Sequence, residues 1–211
     1  MTNARKSRQA TAEKAAQLRA EQAARERRRR FALAAGALVI VLAVAGGVAA
    51  VVLNARSDKA ADDAVQLTGV KTYKNLTQNH VTGTVKYAQT PPVGGDHNPT
   101  WLNCGIYDKP VPNENAVHDL EHGAVWITYQ PALAKSEVSA LKKIVGSQTY
   151  ITMSPYTDLP NPITLSAWGI QMSVQNAEDP RIAKFIKTYK QGKQTPELGA
   201  ACTGGVGTPT G

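Results

Sequence analysis

Three histidines fall within a 26-residue window: His97 in Gly94-Gly95-Asp96-His97, and His118 and His122 enclosing Asp119-Leu120-Glu121. Residues four apart share a helix face, so on one turn of helix His118 and His122 can close around one metal ion, with His97 completing a three-imidazole set from its loop. Borderline transition metals suit imidazole, which makes zinc and copper the candidate cofactors. Asp96, Glu121 and Asp119 are the carboxylates that could orient the rings from behind. Met153 and Met172 would favour Cu(I) if they faced the same spot, although their strand positions fit ordinary core packing as well. The same residues also allow a purely structural reading, in which His118 and Glu121 hydrogen-bond a turn and the polar side chains order a Pro/Gly-rich loop.

His118-Asp119-Leu120-Glu121-His122 also fits the H-x-x-E-H pattern of inverted zinc peptidases, in which two histidines hold zinc and the glutamate helps activate water. Its context argues against that chemistry. Gly123 and a β-rich segment follow at once, leaving about one helical turn, and no downstream carboxylate is marked as a third ligand. No phosphate-cradling glycine loop, CxxC or serine-centred elbow is present. No catalytic residue is assigned, and a non-enzymatic role is favoured over a zinc-dependent hydrolase. The two cysteines, Cys104 and Cys202, are most simply one disulfide if the domain is exported, pinning the C-terminal tail to the long loop. A free Cys104 thiolate, as ligand or nucleophile, is the alternative.

These residues need elements to position them. His80 to Tyr87 alternates enough β-branched and polar residues to predict a strand, and Thr90 to Asn115, with five prolines, predicts loop. Ala124 to Tyr129 predicts a strand with Val125, Ile127 and Tyr129 on one face and Trp126 on the other. A helix is expected over Ser136 to Val145, stopped by Gly146, followed by strands near Tyr150 to Ser154 and Ile163 to Val174, the second broken around Gly169. A last helix is capped by Asp179, with Pro180 in its first turn and Ile182, Phe185, Ile186 and Tyr189 at helical spacing. The fold class expected is α+β, a mostly antiparallel sheet covered by about two helices.

Upstream, Phe31 to Leu53 carries no charge and directly follows Arg27-Arg28-Arg29-Arg30. Twenty-three residues at 1.5 Å each reach about 34 Å, enough to cross a bilayer as a helix. The positive-inside rule then leaves residues 1–30 in the cytoplasm as a basic tail and sends everything after Leu53 outside. Residues 1–30 hold 10 Lys/Arg against 3 Asp/Glu, whereas the rest is nearly balanced, so the overall charge of +8 describes the tail. No aromatic residue interleaves with these arginines, which excludes nucleic acid as the expected partner. Anionic lipid headgroups suit the tail better, at about 1 kcal/mol per basic residue. The apolar run exceeds the usual signal-peptide core, so an uncleaved anchor is expected. Residues 54–64 read as a linker, 65–205 as one extracytoplasmic domain and 206–211 as a tail.

At Pro91-Pro92-Val93-Gly94-Gly95-Asp96-His97-Asn98, Trp101, Cys104-Gly105, Tyr107 and Val117 to Val125, with Pro196-Glu197-Leu198-Gly199 before Cys202, the chain resembles a bacterial, mainly actinobacterial, membrane-anchored family filed as domain of unknown function 3105. The resemblance extends from about Thr68 to Gly205. It implies no reaction, ligand or partner, and it marks Gly94, Gly95, His97, Cys104, His118, Glu121, His122 and Gly123 as the positions that matter. Two readings follow: a membrane-anchored domain holding zinc or copper through His97, His118 and His122, or a non-catalytic envelope module whose disulfide-held loops bind a protein partner.

Overall fold

The computed structural model describes the backbone of residues 2–210; the side chains at 1–12, 15, 34, 35, 37–42, 61, 62 and 211 fall outside the described ones. The chain divides into two units, a helical one up to Ala61 and a mixed one from Asp62.

The first unit is helical and belongs to α1 (Thr2–Ala64), of 63 residues, the last three of which fall in the second unit. Neither glycine-rich stretch nor charge boundary interrupts it, because alanine and arginine dominate its sequence and both favour helix. The polar linker at 54–64 is therefore helical. Among the described residues no helix is long and apolar enough to cross a membrane. The transmembrane helix expected at 31–53 is thus not found among them, and the side chains at 34, 35 and 37–42, the middle of that run, lie outside the description.

The second unit is an α+β domain built on six strands: β1 (Lys71–Thr72), β2 (Gly105–Ile106), β3 (Val125–Tyr129), β4 (Ile151–Pro155), β5 (Ile163–Ala167) and β6 (Ile170–Val174). Their order across the sheet is β1-β6-β5-β3-β4-β2. The three helices are α2 (Asn113–Glu121), α3 (Lys135–Val145) and α4 (Arg181–Tyr189). The sheet is mixed, which corrects the mostly antiparallel expectation. β5 and β6 form a hairpin across Gly169 and β5 runs antiparallel to β3, but α3 carries the chain from β3 to a parallel β4, and β2 also joins β4 in parallel. A helix-length crossover returns the chain to the end where the first strand began, which makes the next strand parallel.

Both faces of the central strands are buried, and their alternation sorts two cores. On one, Val125, Ile127 and Tyr129 meet Met153, Leu165 and Met172 beneath α3 (Leu141, Val145) and α4 (Ile182, Phe185, Ile186). On the other, Trp126 meets Leu102, Tyr107 and Trp168 beneath α2 (Ala116, Val117, Leu120). The helices at 135–145 and 181–189 appear where the sequence places them. Gly146 ends α3 at φ +49°, and an Asp179 carboxylate oxygen accepts the Arg181 N–H at 2.9 Å.

Two expectations on the second face are corrected. No strand forms over His80 to Tyr87; a single parallel bridge joins His80 to His97, and the following backbone bonds elsewhere, with the Val85 N–H donating to Glu114 on α2. The predicted loop at 90–115 contains β2 and the start of α2. Its prolines masked a helix whose apolar residues, at 116, 117 and 120, follow a one-turn period.

Candidate metal centre

The long segment and α2 converge over Trp168 and Trp126. Gly94 lies flat on Trp168 at φ +146°, where a Cβ would come within 3.2 Å of the indole and 2.7 Å of Leu76. Only glycine tolerates both the conformation and the approach. This turn brings the Gly95 carbonyl to 2.7 Å from His97 Nδ1 and buries the imidazole completely. From α2 come His118 and Glu121, with His122 closing the helix as its C-cap. Gly123 then turns the chain into β3 at φ +94°, where an added Cβ would strike Gln191 and Thr195.

His80, His97, His118 and Glu121 form a group whose ligand atoms all lie within 4.8 Å of one another. This buried His/Glu group could hold a metal ion. Glu121 Oε2 stands 2.9 Å from His97 Nε2 and 3.6 Å from His80 Nε2. Three of the four side chains are buried, while His80 is 44% exposed and marks the side from which solvent and ions reach the group.

The tautomers follow from the backbone. His97 Nδ1 faces the Gly95 carbonyl, His118 Nδ1 the Asn98 carbonyl at 2.6 Å, and His122 Nδ1 the Ala201 carbonyl at 2.5 Å. A carbonyl oxygen only accepts, so each Nδ1 carries a proton and donates it, and each Nε2 of a neutral ring is a lone pair. His97 Nε2 is aimed at a carboxylate oxygen, and His118 Nε2 lies 2.9 Å from His122 Nε2. Each contact sets acceptor against acceptor unless a proton or another cation comes between. Bonds of about 2.0–2.1 Å on a tetrahedral ion put donor atoms about 3.3 Å apart, so contacts between 2.9 and 3.6 Å also suit neighbouring ligands on one ion.

Proton affinities divide along the same line. Burial opposes charge on His97, but the Glu121 and Gly95 oxygens outweigh it and raise His97 above the usual imidazole range. Burial likewise works against a charged Glu121, yet the contact with His97, supported by His118 and His80, holds its carboxyl below the usual range. A proton shared by this pair competes with any metal for the same atoms. Burial pushes His118 down to about 4, with the His122 and His97 rings adding to the effect.

The expected set of His97, His118 and His122 comes together, but not around one point. His122 stands beside the four-residue group, touching His118 on one side and Glu197 Oε2 at 3.5 Å on the other. Glu121, expected behind the ligands, belongs to the group itself. Asp96 turns away to Asn79 at 2.9 Å. Asp119 points to the opposite side of α2, where Thr152 Oγ1 donates to it at 2.7 Å, and full burial pushes its carboxyl well above the usual range. Met153 and Met172 lie in the core across the sheet, so the thioether contribution to a Cu(I) site does not arise. His80 was not anticipated as a partner, because only its bridge to His97 reveals it. Glu197 was legible solely as part of the Pro196-Glu197-Leu198-Gly199 segment.

The C-terminal segment laces the site shut. The Glu197 N–H donates to the Glu121 carbonyl at 3.0 Å, the Gln191 amide donates to the His122 carbonyl, and Trp101 lies over His118 and His122 with ring centroids 5.9 and 5.3 Å away. Cys104 and Cys202, 98 residues apart with Cα atoms 5.4 Å from each other, are joined in a disulfide next to Ala201, the partner of His122.

A family model described as Protein of unknown function (DUF3105) matches residues 80–204, a span that includes every residue of the cluster. No curated protein and no solved structure matches the chain. The chain belongs to the DUF3105 family.

Proposed function

We propose that this member of the DUF3105 family is a membrane-anchored, transition-metal-binding protein whose α+β domain lies outside the cytoplasm. One observation carries the metal reading: backbone carbonyls fix the Nδ1 protons of His97 and His118, so that their Nε2 lone pairs share one group with His80 and the Glu121 carboxylate, all ligand atoms within 4.8 Å of one another. Backbone-oriented imidazoles are the usual preparation of metal ligands. Nitrogen donors with one carboxylate suit zinc, and equally Cu(II), better than Cu(I), now that no methionine is at hand. The anchor rests on the uncharged run of 23 residues behind four arginines, within an unbroken helix. The disulfide supports an oxidising location for the domain.

Elemental analysis of the purified full chain tests the metal reading. Wild type is expected to retain or take up zinc or copper after dialysis, and His97→Ala and His118→Ala each to hold less. Retention of full metal content by both variants would refute the reading.

A further inference from the structure

We infer that the chain holds two metal ions side by side, each by two imidazoles and one carboxylate: His80, His97 and Glu121 on one, and His118, His122 and Glu197 on the other. The inference rests on the metal reading above and extends it to a second position and to two further ligands.

Each triad joins one close contact to one wider one through a shared atom, Glu121 Oε2 in the first and His122 Nε2 in the second. In the first, the close contact is His97 Nε2 to Glu121 Oε2 at 2.9 Å and the wider one His80 Nε2 to Glu121 Oε2 at 3.6 Å. In the second, the close contact is His118 Nε2 to His122 Nε2 at 2.9 Å and the wider one His122 Nε2 to Glu197 Oε2 at 3.5 Å. Both therefore bring three potential ligand atoms together. In the second triad both ring Nδ1 protons are committed to the Asn98 and Ala201 carbonyls, so neither neutral ring can offer a donor to the other. A cation resolves both crowded groups in the same way.

A single ion cannot use all six side chains. His118 reaches the ligand atoms of His80, His97 and Glu121 within 4.8 Å, but His122 stands outside that compass, on the far side of His118. The rings of His80, His97 and His118 form a triangle with centroids 4.9 Å apart, and His122 adjoins it through His118 at 4.4 Å. His118 lies at the junction of the two groups, which makes the two proposed ions neighbours, the arrangement of paired-metal sites. Two imidazoles and one carboxylate leave coordination positions open on each ion. An oxyanion with two oxygens, such as a carboxylate or phosphate group, is the ligand class that could bridge them. Glu197 is brought beside His122 by the hydrogen bond from its own N–H to the Glu121 carbonyl, so the carboxylate residue of one triad is tied to that of the other.

The test is titration of the chelator-stripped full chain with Cu(II), read by bound metal per chain and by electron paramagnetic resonance. Wild type should bind two ions with an exchange-coupled spectrum, and His122→Asn and Glu197→Gln should each bind one with an uncoupled spectrum. Glu197 is 53% exposed, so its substitution leaves folding intact, and circular dichroism verifies this. One ion per wild-type chain, two uncoupled ions, or two ions retained in both variants would overturn the inference. No bound ion in wild type would overturn the metal reading beneath it.

Discussion

At the scale of single residues, the centre is decided by protons. His118 titrates near 4 in the folded protein, whereas an unfolded histidine takes up its proton near 6.5. Between those values the unfolded chain binds more protons, so its contribution to stability is complete above about pH 6.5 and is lost as pH falls towards 4. Urea unfolding of metal-free protein across this window is expected to show wild type losing stability relative to His118→Asn as pH falls, the opposite contribution of the raised Asp119 carboxyl being common to both proteins. Gly123 is the second residue-scale case. Alanine there would need φ +94° and would strike Gln191, so Gly123→Ala should cost about 1–3 kcal/mol in chemical denaturation. The types of His97, His118, His122 and Glu121 were legible from sequence because metal chemistry depends on side-chain type. The roles of His80 and Glu197 were not, because each arrives from a segment whose path is set by long-range hydrogen bonds.

At the scale of elements, the two faces of the sheet carry separate duties. Met153 and Thr152 are neighbours on β4, yet Met153 fills the core under α3 and α4 while Thr152 donates to Asp119 of α2 on the metal side. Met153→Ala should therefore lower stability by about 2–5 kcal/mol, measured by denaturant unfolding, while leaving metal content unchanged. A fall in metal content in the folded fraction would show that the faces are coupled. Period-two alternation in 125–129 and one-turn periodicity in 135–145 and 181–189 were strong enough to read directly. The nine-residue α2 was hidden by flanking prolines, and strand direction was hidden because parallel pairing is a property of connections rather than of strand sequence.

At the scale of the whole molecule, the disulfide closes a loop of nearly a hundred residues and holds the C-terminal strap over the imidazoles. Loop-closure entropy gives it up to about 4.7 kcal/mol of stability. Its loss also frees Ala201, the orienting partner of His122, so the Cys104→Ser/Cys202→Ser variant should unfold at lower denaturant and bind metal about 10–100-fold more weakly. Composition set out the chain's division into a basic tail, an apolar run and a near-neutral remainder, whereas the site depends on contacts between residues as distant as His122 and Ala201. The central claim, that imidazoles and glutamate hold a transition metal, is tested most directly by metal content per chain in wild type against the His97→Ala/His118→Ala double variant. At least one ion per wild-type chain and none in the variant is the predicted result; equal content in both would contradict it.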